Sequence, residues 1–390
     1  MVKPFQFARI PSIRFKMGGI ADLPGLTDIY GKKLVIVTGN SSFLKTFQAE
    51  KLFTGLKKSS ANWRIISIPG EPSPEMINGA VQQIGSERID LVIAIGGGSV
   101  MDAGKAISAM LYKTDSVKEY LEIVGTKDHP GTKVPFIAVP TTSGTGSEAT
   151  KNAVISVTGA NGFKRSLRHD NFVPDLAVVD PELTVNCPAH ITAASGMDCF
   201  TQLTEAYLSV KSNPYTDALA IEGFKAIKSS LSRVCKEGND KDARAGMSFA
   251  ALTSGICLAN AGLGIVHGFA SSIGARYDIP HGLICGTLMP SANDLNVKLL
   301  RKVNNQEVLA KYLSLGRLFL EKKEGSNDYF IDGFIEYLYQ LSDELKLPGL
   351  KTAGADENDF DLIVKDTECK NNPVKLSDDA LLEILQKRYF

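Results

Sequence analysis

Apolar positions fall into two regimes along this chain. Up to Asp180, short β-branched runs stop abruptly at glycine or proline. Residues 34–38 run into Gly39-Asn40-Ser41-Ser42, 64–68 end at Pro69-Gly70, 91–95 enter three glycines, and 136–139 meet Pro140-Thr141-Thr142. Continuous apolar runs of this length predict parallel strands covered on both faces, with the helical stretches between them serving as crossovers. From Ile191 onward the period lengthens to that of helices, over 218–227, 243–258, 306–319 and 329–345. The change of pattern places a boundary near Thr184. Residues 1–184 form an α/β domain with a parallel, Rossmann-like sheet, and residues 185–390 an all-α domain. Residues 355–359 read as a helix start on the surface, and the chain carries no internal repeat.

Two loops follow buried strands. Gly96-Gly97-Gly98-Ser99-Val100-Met101-Asp102 leads into a helix, where glycines admit a close approach of backbone to a pyrophosphate and free N–H groups offer donors. Its spacing is not G-x-G-x-x-G, so alone it also reads as a tight turn. Pro140-Thr141-Thr142-Ser143-Gly144-Thr145-Gly146-Ser147-Glu148 supplies a second loop rich in hydroxyls and glycines. Two such loops at the carboxyl ends of parallel strands converge where open α/β sheets bind ligands, which favours nucleotide binding.

Composition adds exclusions. The 43 basic and 43 acidic residues cancel, which removes the electrostatic case for a nucleic-acid or membrane-surface partner. No apolar run reaches the roughly 18–20 residues of a membrane span, and the N-terminus lacks the pattern of a signal peptide. Six scattered cysteines, several in apolar surroundings, read as reduced thiols of a cytoplasmic protein.

Among five histidines, His129, His169 and His190 sit in polar or turn contexts and read as solvated surface residues. His267 and His281 lie in apolar, glycine-rich stretches, and Asp198 lies on a helix carrying Met197, Phe200, Leu203 and Tyr207. A buried carboxylate needs a partner, and one carboxylate with two imidazoles is a usual ligand set for catalytic zinc or iron(II).

These motifs, over 96–102, 140–148, 174–184, 192–209, 264–274 and 280–290, resemble the iron-containing (group III) alcohol dehydrogenase family across nearly the whole chain. The resemblance implies an N-terminal dinucleotide-binding α/β domain followed by a helical metal-binding domain. It implies hydride transfer between a nicotinamide and a primary or small polyol alcohol, with one divalent metal (Fe2+ or Zn2+) polarising the oxygen. The family's ligands map onto Asp198, His267 and His281, while the position four after Asp198 is Gln202 where the family has His. Three readings of that departure stay open: a three-ligand site, a weakly held ion with Gln202 as fourth or water-mediated ligand, or loss of the metal. The family's proton-relay His corresponds to Ser271, leaving water, that serine or a ribose hydroxyl to take the proton.

Implied cofactor contacts are Gly97, Gly98, Ser99 and Asp102 around the pyrophosphate and nicotinamide ribose, Thr141 and Thr142 near the adenosine, and Lys164. The first clear strand ends in Gly39, Asn40 and Ser41 with Lys45 beyond, lacking the Asp of NAD-preferring members, which predicts NADP(H) over NAD(H). Phe163, Phe200 and Phe269 are candidates for apolar pocket walls. The resemblance, with the strand segment 12–15, implies a homodimer. Two alternatives remain: a lyase resembling dehydroquinate synthase, and a nucleotide-binding protein whose metal site has decayed.

Overall fold

The computed structural model describes residues 4–160, 162–322 and 324–390. Met1, Val2 and Lys3, part of the terminus read as lacking a signal peptide, lie outside the described residues. The strands are β1 (Ser12–Phe15), β2 (Lys33–Thr38), β3 (Asn62–Ser67), β4 (Leu91–Gly96), β5 (Phe136–Pro140), β6 (Asn152–Val157), β7 (Phe163–Arg168) and β8 (Leu176–Val179). Six of them form a sheet in the order β1-β8-β5-β4-β2-β3, every pairing parallel. Strands β2, β4 and β5 are apolar on both faces because helices cover both sides. Their limits agree with the sequence reading to within a residue or two.

Three strands were not foreseen. Strands β6 and β7 form an antiparallel hairpin inserted between β5 and β8, and their mixed composition gives neither a continuous apolar run nor a clean alternation. Strand β8 is only four residues long. Segment Ser12–Phe15, read as a strand, pairs with β8 at the sheet edge.

The covering and C-terminal helices are α1 (Leu23–Thr27), α2 (Phe47–Lys58), α3 (Pro74–Ile84), α4 (Gly98–Met110), α5 (Ala189–Leu208), α6 (Pro214–Lys236), α7 (Lys241–Ala261), α8 (Ile265–Arg276), α9 (His281–Lys302), α10 (Gln306–Phe319) and α11 (Asn327–Glu344). Three short ones follow, α12 (Leu350–Ala353), α13 (Phe360–Asp366) and α14 (Asp378–Gln386). Helix α6 outruns its apolar window of 218–227 because Asn213 caps it. The Asn213 side chain accepts from the Tyr215 and Thr216 amides at 3.1 and 3.2 Å, and Pro214 presets the first turn.

The helical core centres on Phe200, Phe224, Phe319 and Phe334, with Phe200 stacked on Phe319 at 5.0 Å between centroids. Phe200 and Phe269 are therefore core residues and not the pocket walls expected of them; both are fully buried among aliphatic and aromatic neighbours. His129 also departs from expectation. It is buried between Tyr120 and Phe172, faces the Ala109 carbonyl at 3.2 Å through Nε2, and accepts from the Gly131 amide through Nδ1. Burial pushes its pKa down to about 4. His190 is exposed, as read. All six cysteines are free. Among the described residues no single helix is long and apolar enough to cross a membrane.

Candidate active site

The chain leaves β2 towards β3 on one side and β4 towards β5 on the other, so the sheet's order reverses between β2 and β4. A crevice opens at the carboxyl ends of strands at such a reversal. Gly39, Asn40 and Ser41 follow β2, and Gly97, Gly98 and Ser99 follow β4 and start α4. The start of α4 has no side-chain cap; the Val100 and Met101 amides turn back to the Gly97 carbonyl, and those of Gly98 and Ser99 remain for an anion. The two loops press together: a Cβ on Gly98 would lie 2.6 Å from Thr145, and one on Gly97 3.3 Å from Thr142. Thr141 donates its amide to the Gly96 carbonyl at 2.8 Å. Glycine at these positions thus keeps the threonines beside the helix start, and the cradle fits a pyrophosphate.

Asp102 underpins the cradle from behind. Its carboxylate accepts from Ser147 Oγ at 2.5 Å and the Val154 amide at 3.1 Å, fastening the second loop and the hairpin to α4. Beneath it, Lys105 is buried with Nζ donating to the Ser147 and Asn152 carbonyls at 3.0 and 2.6 Å. Lys164 reaches from β7 to Glu71 Oε2 at 3.0 Å, and Ser99 Oγ donates to Glu71 Oε1, also at 3.0 Å. Glu71, unmarked in the sequence reading because it sits in a proline-rich turn without periodicity, joins two of the expected cofactor residues.

The candidate metal donors come from three helices. Asp198 lies mid-way along α5, His267 in the first turn of α8, and His281 at the first position of α9. Asp198 Oδ1 is 3.2 Å from His267 Nε2 and 3.8 Å from His281 Nε2. Glu205, two turns beyond Asp198, meets His267 Nδ1 at 2.7 Å and accepts the Val266 amide at 2.6 Å. That contact leaves the Nδ1 proton on the Glu205 side and points Nε2 at Asp198. A fourth donor completes the group: Cys285 Sγ lies 3.7 Å from His267 Nε2 and 3.8 Å from His281 Nε2. Asp198, His267, His281 and Cys285 present donor atoms all within 4.8 Å of one another. Around a tetrahedral ion with bonds of about 2.0–2.3 Å, neighbouring donors stand roughly 3.3–3.8 Å apart. The donor set therefore fits a metal ion.

Electrostatics agree. Burial would push the His267 pKa down, yet Cys285, Glu205 and Asp198 hold it well above the ordinary imidazole value. Burial would likewise raise Asp198, but the His267 hydrogen bond and the two imidazoles bring it below the usual carboxylate range. Two carboxylates flanking one ring call for positive charge on its Nε2 side, which a proton or a cation supplies. Burial pushes His281 down to about 4, and its Nδ1 is buried without a hydrogen-bond partner.

Gln202 lies one turn after Asp198 as expected, but its amide oxygen accepts from Ser254 Oγ at 2.9 Å while its nitrogen faces Asp198 Oδ2 at 3.4 Å. It thus meets the carboxylate oxygen opposite the one facing the imidazoles. Ser271 donates its hydroxyl to the His267 carbonyl at 2.9 Å, which engages the proton a relay would pass on.

A doubly wound parallel sheet, followed by helices that gather a cluster of donors able to hold a metal ion, defines a class, and comparison supplies the family. The model "Iron-containing alcohol dehydrogenase" matches residues 11–181, and "Fe-containing alcohol dehydrogenase family, C-terminal" matches 192–389. The chain belongs to the iron-containing alcohol dehydrogenase family, which implies a metal ion and an NAD(P) cofactor. It is 36% identical to the probable alcohol dehydrogenase EutG of Escherichia coli (strain K12) over 66% of this chain, a match spanning 62% of that relative's length. It is 30% identical to the NADPH-dependent butanol dehydrogenase of Clostridium saccharobutylicum over 95% of each. The alcohol dehydrogenase from Oenococcus oeni superposes with a TM-score of 0.88 at 31% identity, covering 99% of this chain and 100% of that one. The lyase and decayed-site alternatives are not favoured by these relatives.

Proposed function

We propose that this protein is an NAD(P)-dependent alcohol dehydrogenase that interconverts a primary or small polyol alcohol and its carbonyl product by hydride transfer. Residues 1–184 bind the dinucleotide and 185–390 hold a divalent ion. The observation that carries the reading is the convergence of Asp198 Oδ1 with the Nε2 atoms of His267 and His281, 3.2 and 3.8 Å away, from three separate helices. An ion held there would supply Lewis-acid polarisation of the substrate oxygen. The protein's own part is orientation and charge. Glu205 fixes the His267 tautomer, and Asp198 contributes the negative charge. Gln202 steadies the far carboxylate oxygen. With Ser271 bonded to its own helix, the alcohol proton leaves through water or a ribose hydroxyl.

At the cofactor, Gly97, Gly98, Ser99, Thr141 and Thr142 line the cradle, and Lys164 stands beside it, tethered by Glu71. NADP(H) is preferred: Gly39, Asn40 and Ser41 end β2 with donors and no carboxylate to repel a 2′-phosphate, and the butanol relative is named as NADPH-dependent. The edge position of β1, where Phe15 is exposed, supports a homodimer. The balanced charge and free thiols support a cytoplasmic protein that binds neither nucleic acid nor membrane.

Metal analysis of the purified protein, with NADPH and NADH oxidation against a panel of short aldehydes, tests this. Asp198→Ala and His281→Ala are expected to lose metal and turnover together. Bound metal without reduction of any aldehyde by either cofactor would overturn the activity. A higher kcat/KM with NADH would overturn only the cofactor preference.

A further inference from the structure

We propose that Cys285 is the fourth protein ligand of the metal, taking the place left open by Gln202. The inference rests on the metal-site reading above and adds a donor of different chemistry. His281 and Cys285 stand one turn apart on α9, so both project from one face. That face meets α5 where α9 carries no side chain to hold the helices apart. A Cβ on Gly282 would lie 2.5 Å from the Ala194 carbonyl oxygen, and one on Gly286 2.8 Å from Met197 Cβ. The two glycines flank Cys285 and bring its sulfur into the cluster, 3.7 and 3.8 Å from the two Nε2 atoms. These separations, with the 3.2 and 3.8 Å spacings from Asp198 to the imidazoles, match four of the six edges of a tetrahedron of donors, and the other two lie within 4.8 Å.

Gln202 is less well placed. It meets Asp198 from the Oδ2 side, with its amide oxygen facing Ser254. Helix α5 therefore contributes one donor and α9 two. On loading, the Cys285 S–H bond breaks, its proton passes to solvent water, and a sulfur–metal bond forms; no oxidant or reductant takes part. Thiolate is a softer donor than the imidazole it replaces, which inclines the site towards zinc. Zinc also expands to five donors, so four protein ligands do not close the site to substrate.

The test is an anaerobic titration of the metal-free full chain with Co2+, read by absorption, beside X-ray absorption at the zinc edge of the zinc-loaded protein. The expected results are a near-ultraviolet thiolate-to-cobalt charge-transfer band with tetrahedral visible bands, and one sulfur in the first shell of zinc. Cys285→Ser should lose the charge-transfer band, keep visible bands, and bind zinc more weakly by more than the roughly 10–100-fold that outer-shell partners command. Cobalt bound without the band, or zinc with only nitrogen and oxygen neighbours, overturns the role of Cys285 and leaves the Asp198–His267–His281 reading intact. No metal bound at all overturns both. The zinc-edge measurement uses the unaltered protein, so it decides the matter even where Cys285→Ser fails to fold.

Discussion

Replacing Gly282 by alanine isolates the helix approach on which the metal donors depend. The added Cβ would sit 2.5 Å from the Ala194 carbonyl oxygen and 3.3 Å from Asp198 Cβ. The first of these is backbone and does not swing aside, so α9 must draw back to reach the 3.4 Å at which ordinary contact begins, a retreat of about 0.9 Å. His281 is the neighbouring residue. A retreat of that size opens its 3.8 Å spacing from Asp198 Oδ1 towards about 4.7 Å, past the roughly 3.3–3.8 Å edge of a tetrahedral ion. Overpacking of this kind costs about 1–3 kcal/mol, a Tm drop of about 1–4 °C at this chain length. Zinc affinity should fall by more than tenfold, read by competition with a chromophoric chelator. Gly79→Ala is the control: it lies within α3 with nothing within 4 Å of its added Cβ, so the same change should stabilise by about 0.5–1 kcal/mol and leave zinc affinity alone. Unchanged Tm and zinc affinity in Gly282→Ala would refute the claim that this contact sets the donor geometry.

Three further outcomes are expected. Glu205→Gln keeps a hydrogen-bond acceptor for His267 Nδ1 but removes the charge, and should weaken zinc binding by about 10–100-fold in calorimetric titration; an unaltered affinity would detach Glu205 from the site. Glu148 is buried, which pushes its carboxyl up to about 7. Between pH 4.5 and 7 the folded state retains a proton that the unfolded chain has released, so stability falls as pH rises through this window, by up to about 3 kcal/mol. Glu148→Gln should therefore unfold at higher denaturant than the parent at pH 8 and lose that advantage near pH 4.5; an equal difference at both values would sink the argument. Gly39→Asp has room for its side chain, since the nearest atom to an added Cβ, on Val100, is 3.9 Å away. The new carboxylate should lower kcat/KM with NADPH and shift preference towards NADH, and an unchanged ratio would show that the end of β2 does not read the 2′-phosphate.

Legibility in the sequence followed the physics of each feature. Strands β2, β4 and β5 are covered on both faces, so their apolar runs are unbroken and stop at the glycines and prolines where the loops begin. The hairpin packs β6 against α4 and β7 against α8 and alternates imperfectly, so no run marks it. Asp198, His267 and His281 stood out because a polar side chain in an apolar stretch must find a partner. Cys285 did not, because a cysteine among Ile284, Gly286 and Leu288 satisfies every rule for a small packing residue. His129 failed for the opposite reason: its turn looks solvated locally, and only the packing of Tyr120 and Phe172 buries it.

Glu205 and Cys285 did leave a trace, lying seven residues after Asp198 and four after His281, on the same helix faces as those ligands. Spacing on one helix states which residues share a face. It does not state which faces meet. That depends on how α9 crosses α5, and the crossing is set by the glycines at 282 and 286, whose missing side chains mean nothing until the opposing Ala194 and Met197 are in view. A ligand set confined to one helix could be counted from sequence, whereas this one, split across three, comes together only after packing. The substitution of Gln202 therefore looked like the loss of a donor, while the replacement stood eighty-three residues further on, at position 285.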